Sequence, residues 1–329
     1  MANTLSNFQI YDVEFFGGLT EVVEQASIEM GTGSAGTINM VSVNQKGEFE
    51  KESFFSNVAG LVSRRDNTSI ADVADLDMAQ GELVGVKLNT KIGPVAKSVD
   101  SFKKIGEDPA LMSFALGQMY GADIVLDYLN TGLSAVTASM GTEAGMTLDI
   151  VASGETDKKL TYQYLVRGLA LMGDRASRVK AWVMPSAVYF SLMENAITEK
   201  ITNVADVAIY QATIGSLNRP VLVTDSPALI NADPAGDGTL PPQYAILGLT
   251  EDALEINQSE DSTIVSEIVT GKASLLMRLQ GETAHNVKVR GFEYTGVANP
   301  NNAVLGTGSN WNYSFQDVKS GPGFKIITN

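Results

Sequence analysis

The sequence predicts an α+β fold in which one long helix crosses a set of strands. Three observations carry this. A chain of 329 residues with 44% hydrophobic content has enough apolar material for a substantial core, in two average domains or one large elaborated one. Its 31 glycines and many Ser, Thr and Asn residues point to numerous strands and turns. Finally, apolar residues recur every seven positions from Met112 to Met140, one long stripe of helical spacing.

Composition also narrows function. The 23 Lys and Arg against 38 Asp and Glu give a net charge of −15, which repels phosphate backbones and argues against tight nucleic-acid binding. With no cysteine, disulfides, thiolate metal sites and cysteine nucleophiles are excluded. With one histidine, His285, the commonest catalytic triads and zinc sites are nearly unavailable. No basic segment leads into an apolar stretch between Met1 and Phe16, and no run of about 18 apolar residues occurs, so neither a signal peptide nor a spanning helix is expected.

In chain order, residues 1–30 read as an apolar arm that needs something to lie on, with Phe8, Ile10, Val13, Phe15 and Phe16. Residues 31–65 follow, centred on TINMVSVNQKGEFEKESFF (Thr37 to Phe55). This reads as an extended β-hairpin turning at Asn44-Gln45-Lys46-Gly47, too thin to bury its own Phe49, Phe54 and Phe55. Strand signals return at Leu83 to Leu88, then a polar helix candidate at Lys97 to Ile105. Asp108 and Pro109 are suited to open the long helix through N-capping and the first helical position. Its stripe is Met112, Met119, Leu126, Leu133 and Met140; Gly117, Gly121, Gly132 and Gly141 read as weak points.

A Gly-, Ser- and Thr-rich bridge, Thr142 to Thr161, suggests a boundary, giving one domain over 66–155 and another over 156–270. The second has a helix at Tyr162 to Arg175, a buried strand AWVMP (Ala181 to Pro185) leading into a helix, and strand material at Ile209 to Thr224. The loop Asn231 to Pro242, with Asp233 and Asp237, precedes strands at Tyr244 to Ile256 and Ser262 to Val269. Over 271–329, Ser274 to Gln280 and Val287 to Tyr294 read as two strands returning to the first domain, and Gly296 to Asn329 as a tail with Trp311, Tyr313 and Phe315 alternating.

No motif supports chemistry. Gly31-Thr32-Gly33-Ser34-Ala35-Gly36 has dinucleotide-fingerprint spacing but the wrong context, with a helix before and a strand after, and reads as a hinge at the hairpin root. The acids Asp72, Asp75, Asp77 and Glu82 lack calcium-loop spacing and read as a solvated face. His285 reads as a turn residue. No cofactor or metal site is expected.

The order of these elements resembles the major capsid proteins of tailed bacteriophages. The residues that carry it are Thr37 to Phe55 as extended loop, Asp108 to Met140 as spine helix, Ala181 to Met193, Arg219 to Leu229, and the strands SLLMRLQG (Ser274 to Gly281) and VKVRGFEY (Val287 to Tyr294). The resemblance implies an N-terminal arm, an extended loop, a peripheral domain holding the spine helix, and an axial domain. It implies a structural, non-enzymatic protein of the virion, assembled in the host cytoplasm into hexamers and pentamers of an icosahedral head. That head would enclose double-stranded DNA without tight specific binding and without membrane. Portal, cementing and separate scaffolding proteins are the further partners implied, since no charged helical scaffolding segment stands at the N-terminus.

On that footing Lys46, Phe49, Lys51, Glu52, Phe54 and Phe55 are expected at an intersubunit contact, and Asp233 and Asp237 at a capsomer axis. An encapsulin-like compartment shell is the alternative within the fold, and a divalent-metal carboxylate enzyme the alternative outside it.

Overall fold

The structure is a computed structural model. It describes residues 12–43, 45, 47–55, 62–65, 67–76, 80–98, 109–153, 158–202, 219–234, 236–237 and 239–329. The long helix α2, Pro109–Thr142, has 34 residues, about 50 Å at 1.5 Å per residue. Among the described residues, no helix is long and apolar enough to cross a membrane.

Two sheets are arranged along this helix. The first contains β1 (Ile38–Ser42), β2 (Phe49–Phe55), β3 (Gln80–Ser98), β9 (Leu254–Val269), β10 (Leu276–Val289), β11 (Phe292–Tyr294) and β12 (Trp311–Tyr313), in the order β1-β9-β10-β3-β11-β12, with β2 beside β3. The second contains β4 (Thr147–Asp149), β5 (Val179–Met184), β6 (Val221–Val223), β7 (Ile230–Asn231), β8 (Gln243–Thr250) and β13 (Gly323–Thr328), in the order β4-β13-β8-β5-β6, with β7 beside β8. Helices α3 (Tyr162–Met172) and α4 (Ser186–Thr202) pack with the second sheet, and a short α5, Asn302–Leu305, lies against α2.

The facing of α2 differs from the seven-residue stripe. In its N-terminal half the buried positions are Ser113, Gly117, Gly121, Ile124 and Tyr128, spaced by three and four, while Met119 and Leu126 are 65% and 54% exposed. A strict heptad drifts by roughly 20° per repeat on a straight helix, so its members cannot share one face over four repeats. Toward the C-terminal end Leu133, Ala135, Val136 and Met140 are all fully buried, because both sheets reach the helix there.

The glycines are contact points. Helix α1, Asp12–Gly33, lies against α2 so closely that a Cβ on Gly117 would collide with the Phe15 carbonyl, and one on Gly18 with the Phe114 carbonyl. This approach buries Phe15 and Leu19, and Phe15 meets the Tyr120 ring edge-on at 5.7 Å. The described part of the expected arm is therefore a helix held by its own chain; residues 1–11 lie outside the described residues. Gly31 to Gly36 ends that helix. The Gly36 amide donates to the Gly31 carbonyl at 2.8 Å with Gly36 at φ 73°, so the segment is a helix stop rather than a hinge.

Three strand readings also change. β1 and β2 do not pair with each other: β1 runs parallel to β9, and β2 antiparallel to β3, so the Thr37 to Phe55 hairpin is absent. Alternation identified strands but not their partners. The two return strands are largely one, β10, which crosses Gly281 to His285 without a turn and pairs with β3 on one side and β9 on the other. The tail is no appendage, for β13 lies between β4 and β8 in the second sheet. Of the helix candidate at 97–105, Lys97 and Ser98 belong to β3 and the rest lies outside the described residues, as does 209–218 of the expected strand material.

The second core is closed by aromatic packing. Trp182 and Phe324 meet edge-to-face at 5.5 Å, and Gly168 and Gly248 leave room for the Phe324 ring where a Cβ would strike it. Leu165, Met172, Val188, Leu192, Ile246 and Ile326 complete it.

Candidate functional site

The strand β2 is fastened to its own chain through polar contacts that cross β3. Gly85 of β3 carries no side chain, and a Cβ there would sit 3.0 Å from Asn286 Nδ2. Through this gap Glu50 accepts a hydrogen bond from Asn286, while Glu52 pairs with Lys288 of β10. Burial opposes the Lys288 ammonium, yet its bond to Glu52 and the nearby Glu255 and Glu50 carboxylates hold its pKa above the usual lysine value. Lys51 meets Glu82 at 3.1 Å, and Phe54 packs edge-on against Phe315 at 5.1 Å.

Of the six residues expected at an intersubunit contact, Lys51, Glu52 and Phe54 thus have partners within the chain. Phe49 and Phe55 are 36% and 65% exposed, and Lys46 lies outside the described residues.

The segment between β2 and β3 behaves differently. Every described residue of it, 62–65 and 67–76, is exposed and in neither helix nor strand. It nonetheless carries Val62, Ile70, Val73 and Leu76, exposed by 91%, 102%, 90% and 57%. Isolated exposed apolar residues are ordinary, but four on one irregular strap leave a large apolar surface in water. Sequence reasoning stopped at the hairpin and missed them. The available signal was apolar residues interspersed with Asp72, Asp75 and Asp77 in a stretch with neither helical nor strand periodicity.

The loop at 231–242 joins the antiparallel pair β7 and β8. Its two acids serve local turns. Asp233 accepts from the Gly236 amide at 2.9 Å, and Asp237 from the Thr239 amide and hydroxyl at 3.0 and 2.6 Å. Those Thr239 bonds hold the Asp237 carboxyl below the usual carboxylate range.

His285 is not in a turn. It lies within β10, fully buried, with its ring 4.2 Å from that of Tyr128 and Nε2 2.9 Å from the Thr131 hydroxyl. Tyr128 and Thr283 bond at 3.0 Å beside it. Burial pushes the histidine pKa down to about 3. This seam joins α2 to β10 and presents no open nucleophile or base to a substrate. Among the described residues no group of three or more His, Asp or Glu is placed to hold a metal ion. The acids of the expected solvated face divide: Asp72 and Asp75 are exposed on the strap, Glu82 pairs with Lys51, and Asp77 lies outside the described residues.

The described residues thus present a two-sheet framework along α2 with an exposed strap between β2 and β3. By fold the chain is similar to the capsid of Ralstonia phage GP4, with TM-score 0.55 and 9% identity over 91% of this chain and 88% of that one. It is similar too to the capsid of Helicobacter pylori bacteriophage KHP30, with TM-score 0.54 and 9% identity over 91% and 89%. The capsid of cyanophage Pam1 aligns with TM-score 0.52 and 12% identity over 89% and 88%. No curated protein matches the sequence. The model of the Gp13-like family, described as major capsid protein 13-like, matches residues 7–324. Neither the compartment-shell nor the metal-enzyme alternative is favoured by that match, and the chain belongs to the Gp13-like family of major capsid proteins, structural proteins of bacteriophage heads.

Proposed function

We propose that this major capsid protein builds the hexamers and pentamers of an icosahedral head around double-stranded DNA, and that the strap between β2 and β3 is its intersubunit clamp. The observation that carries the reading is the exposure of Val62, Ile70, Val73 and Leu76 on a segment whose described residues are all exposed and in neither helix nor strand. Fully burying such a side chain contributes about 1.5–3 kcal/mol, whereas an exposed ion pair contributes about 0–1 kcal/mol. Phe49 and Phe55 extend the same contact, while Lys51, Glu52 and Phe54 hold the base of the strap in place. The net charge of −15 favours a container that does not grip its DNA. Host-cytoplasm assembly and separate scaffolding, portal and cementing proteins belong to the same reading.

Replacing residues 62–76 by a short Gly-Ser turn should leave subunits with wild-type circular dichroism that form no closed shells by electron microscopy. Shells of normal size from that variant would end the clamp reading.

The loop 231–242 is the element we assign to the capsomer axis. It closes a β-hairpin of the second sheet, and six copies of Asp233 and Asp237 around an axis would form rings of like charge. Such rings cost energy unless solvated or bridged by a cation. Magnesium should therefore raise the melting temperature of wild-type heads more than that of heads carrying Asp233→Asn with Asp237→Asn. Equal shifts in the two would place the loop elsewhere.

A further inference from the structure

The first sheet has two long strand edges, and they are finished differently. On β3, pairing with β2 reaches Val86, the Lys87 amide donates to the Glu48 carbonyl at 3.0 Å, and the Asn89 amide donates to the Asn299 side chain at 2.9 Å. Further out, Pro94 has no amide hydrogen, and Lys91 and Lys97 flank it. Proline and lysine are common guards of an edge against pairing with another chain. β9 has neither. β1 covers Leu254 to Gln258, and the Val43 and Gln45 amides donate to the Gln258 and Ser259 carbonyls. From Thr263 to Val269, however, β9 pairs with β10 on one side and with no described strand on the other. This free edge reads Thr-Ile-Val-Ser-Glu-Ile-Val, with five β-branched residues and no glycine, and its Val265 is 62% exposed.

The edge is complementary to itself. Set antiparallel to a second copy about Ser266, it places Ile264 opposite Ile268, Thr263 opposite Val269, and Val265 opposite Glu267, whose neighbour in register on β10 is Arg278. Ile264 already packs at the margin of the first core, so the paired strands would continue that core across the axis. The same register carries Lys272, in the turn between β9 and β10, toward Asp261 of the second copy; among the described residues neither forms an ion pair within its own chain. We propose that residues 263–269 of two copies pair antiparallel across a twofold axis at Ser266, joining their first sheets into one, with Lys272 of each copy meeting Asp261 of the other. The inference rests on the head-building reading, since it needs a chain that assembles with its own copies. A surface that meets itself closes on two copies and leaves neither edge free.

A single thiol tests the pairing, because the chain has no cysteine of its own. Ser266→Cys, oxidised in assembled shells, should give a covalent dimer and nothing larger on a denaturing gel without reductant. Thr263→Cys is the control: the register sets its two copies six residues apart along the strands, about 20 Å, too far for a disulfide, so it should stay monomeric. In the Ser266→Cys background, Lys272→Glu should lower the dimer yield about threefold, the modest effect of an exposed ion pair, and so should Asp261→Lys. Both changes together should restore it. Circular dichroism of dissociated subunits checks that each variant is folded. Monomer alone from Ser266→Cys, as much dimer from Thr263→Cys, or a double reversal no better than either single would overturn the proposal. None of these variants alters the strap or the loop 231–242, so their failure leaves the clamp and axis readings standing, and loss of shells on removing 62–76 bears on the strap alone.

Discussion

Leu133→Asp should abolish the folded subunit, while Leu126→Asp, seven residues earlier on the same helix, should leave it soluble. Leu133 is fully buried, whereas Leu126 is 54% exposed. At Leu133 the helix meets the first sheet so closely that a Cβ on the adjacent Gly132 would press into Ile256 and Leu254. Truncating a buried leucine to alanine costs about 2–5 kcal/mol before any charge is added. A carboxylate without a partner adds several more, since it must either stay desolvated or take up a proton. Total stability of a domain is commonly about 5–15 kcal/mol, so little or none would remain. Leu133→Met, which nearly conserves volume, should cost under about 1.5 kcal/mol and serves as the control. Soluble yield and far-ultraviolet circular dichroism of the three variants decide the matter. A soluble Leu133→Asp subunit with the wild-type spectrum would mean that the helix is packed otherwise.

The same pair of leucines explains how much of the fold the sequence discloses. Asp108 and Pro109 marked the start of α2 to the residue, and its extent followed from apolar residues recurring from Met112 to Met140. Its facing did not, because the seven-residue count treated Met119, Leu126 and Leu133 as equivalent and treated glycine as damage. The close crossing of α1 over Gly117 and Gly121 depends on an element more than eighty residues away in sequence, and no local pattern announces it. Strands were legible where β-branched residues alternate, as in LVGVKL, or where a short apolar run is continuous, as in AWVMP. β10 was split because GETAHN is polar, yet Thr283, His285 and Asn286 are buried between β3 and β9 and bonded to Tyr128, Thr131 and Glu50. The functional reading came from element order and not from any site. Within the strap region, the charged run at 46–52 stands out in the sequence, whereas the significance of the apolar residues of 62–76 depends on their exposure in the fold.

The polar seam that concealed β10 also sets an acid limit on the subunit. Thr131 Oγ1 lies 2.9 and 3.0 Å from the Asp127 and Tyr128 carbonyls, to which it donates, so His285 Nε2 must carry the hydrogen it shares with that oxygen. Nδ1 is then a bare acceptor, without a partner among the described residues. Protonation would place a charged N–H there, buried and with no acceptor among the described residues. Its folded pKa of about 3 lies below the ordinary 6.5, so on acidification the unfolded chain takes up the proton first. Stability contributed by the neutral ring is complete above about pH 6.5, falls by about 1.4 kcal/mol per pH unit below it, and levels off near pH 3, a total of about 4–5 kcal/mol. His285→Phe keeps a flat ring against Tyr128 and removes the titration. Urea unfolding of dissociated subunits from pH 7.5 to 4 should show the variant within about 1 kcal/mol of wild type at the upper end and increasingly more stable relative to it toward the lower. Parallel pH profiles for the two proteins would show that the carboxylates, and not this histidine, govern acid unfolding.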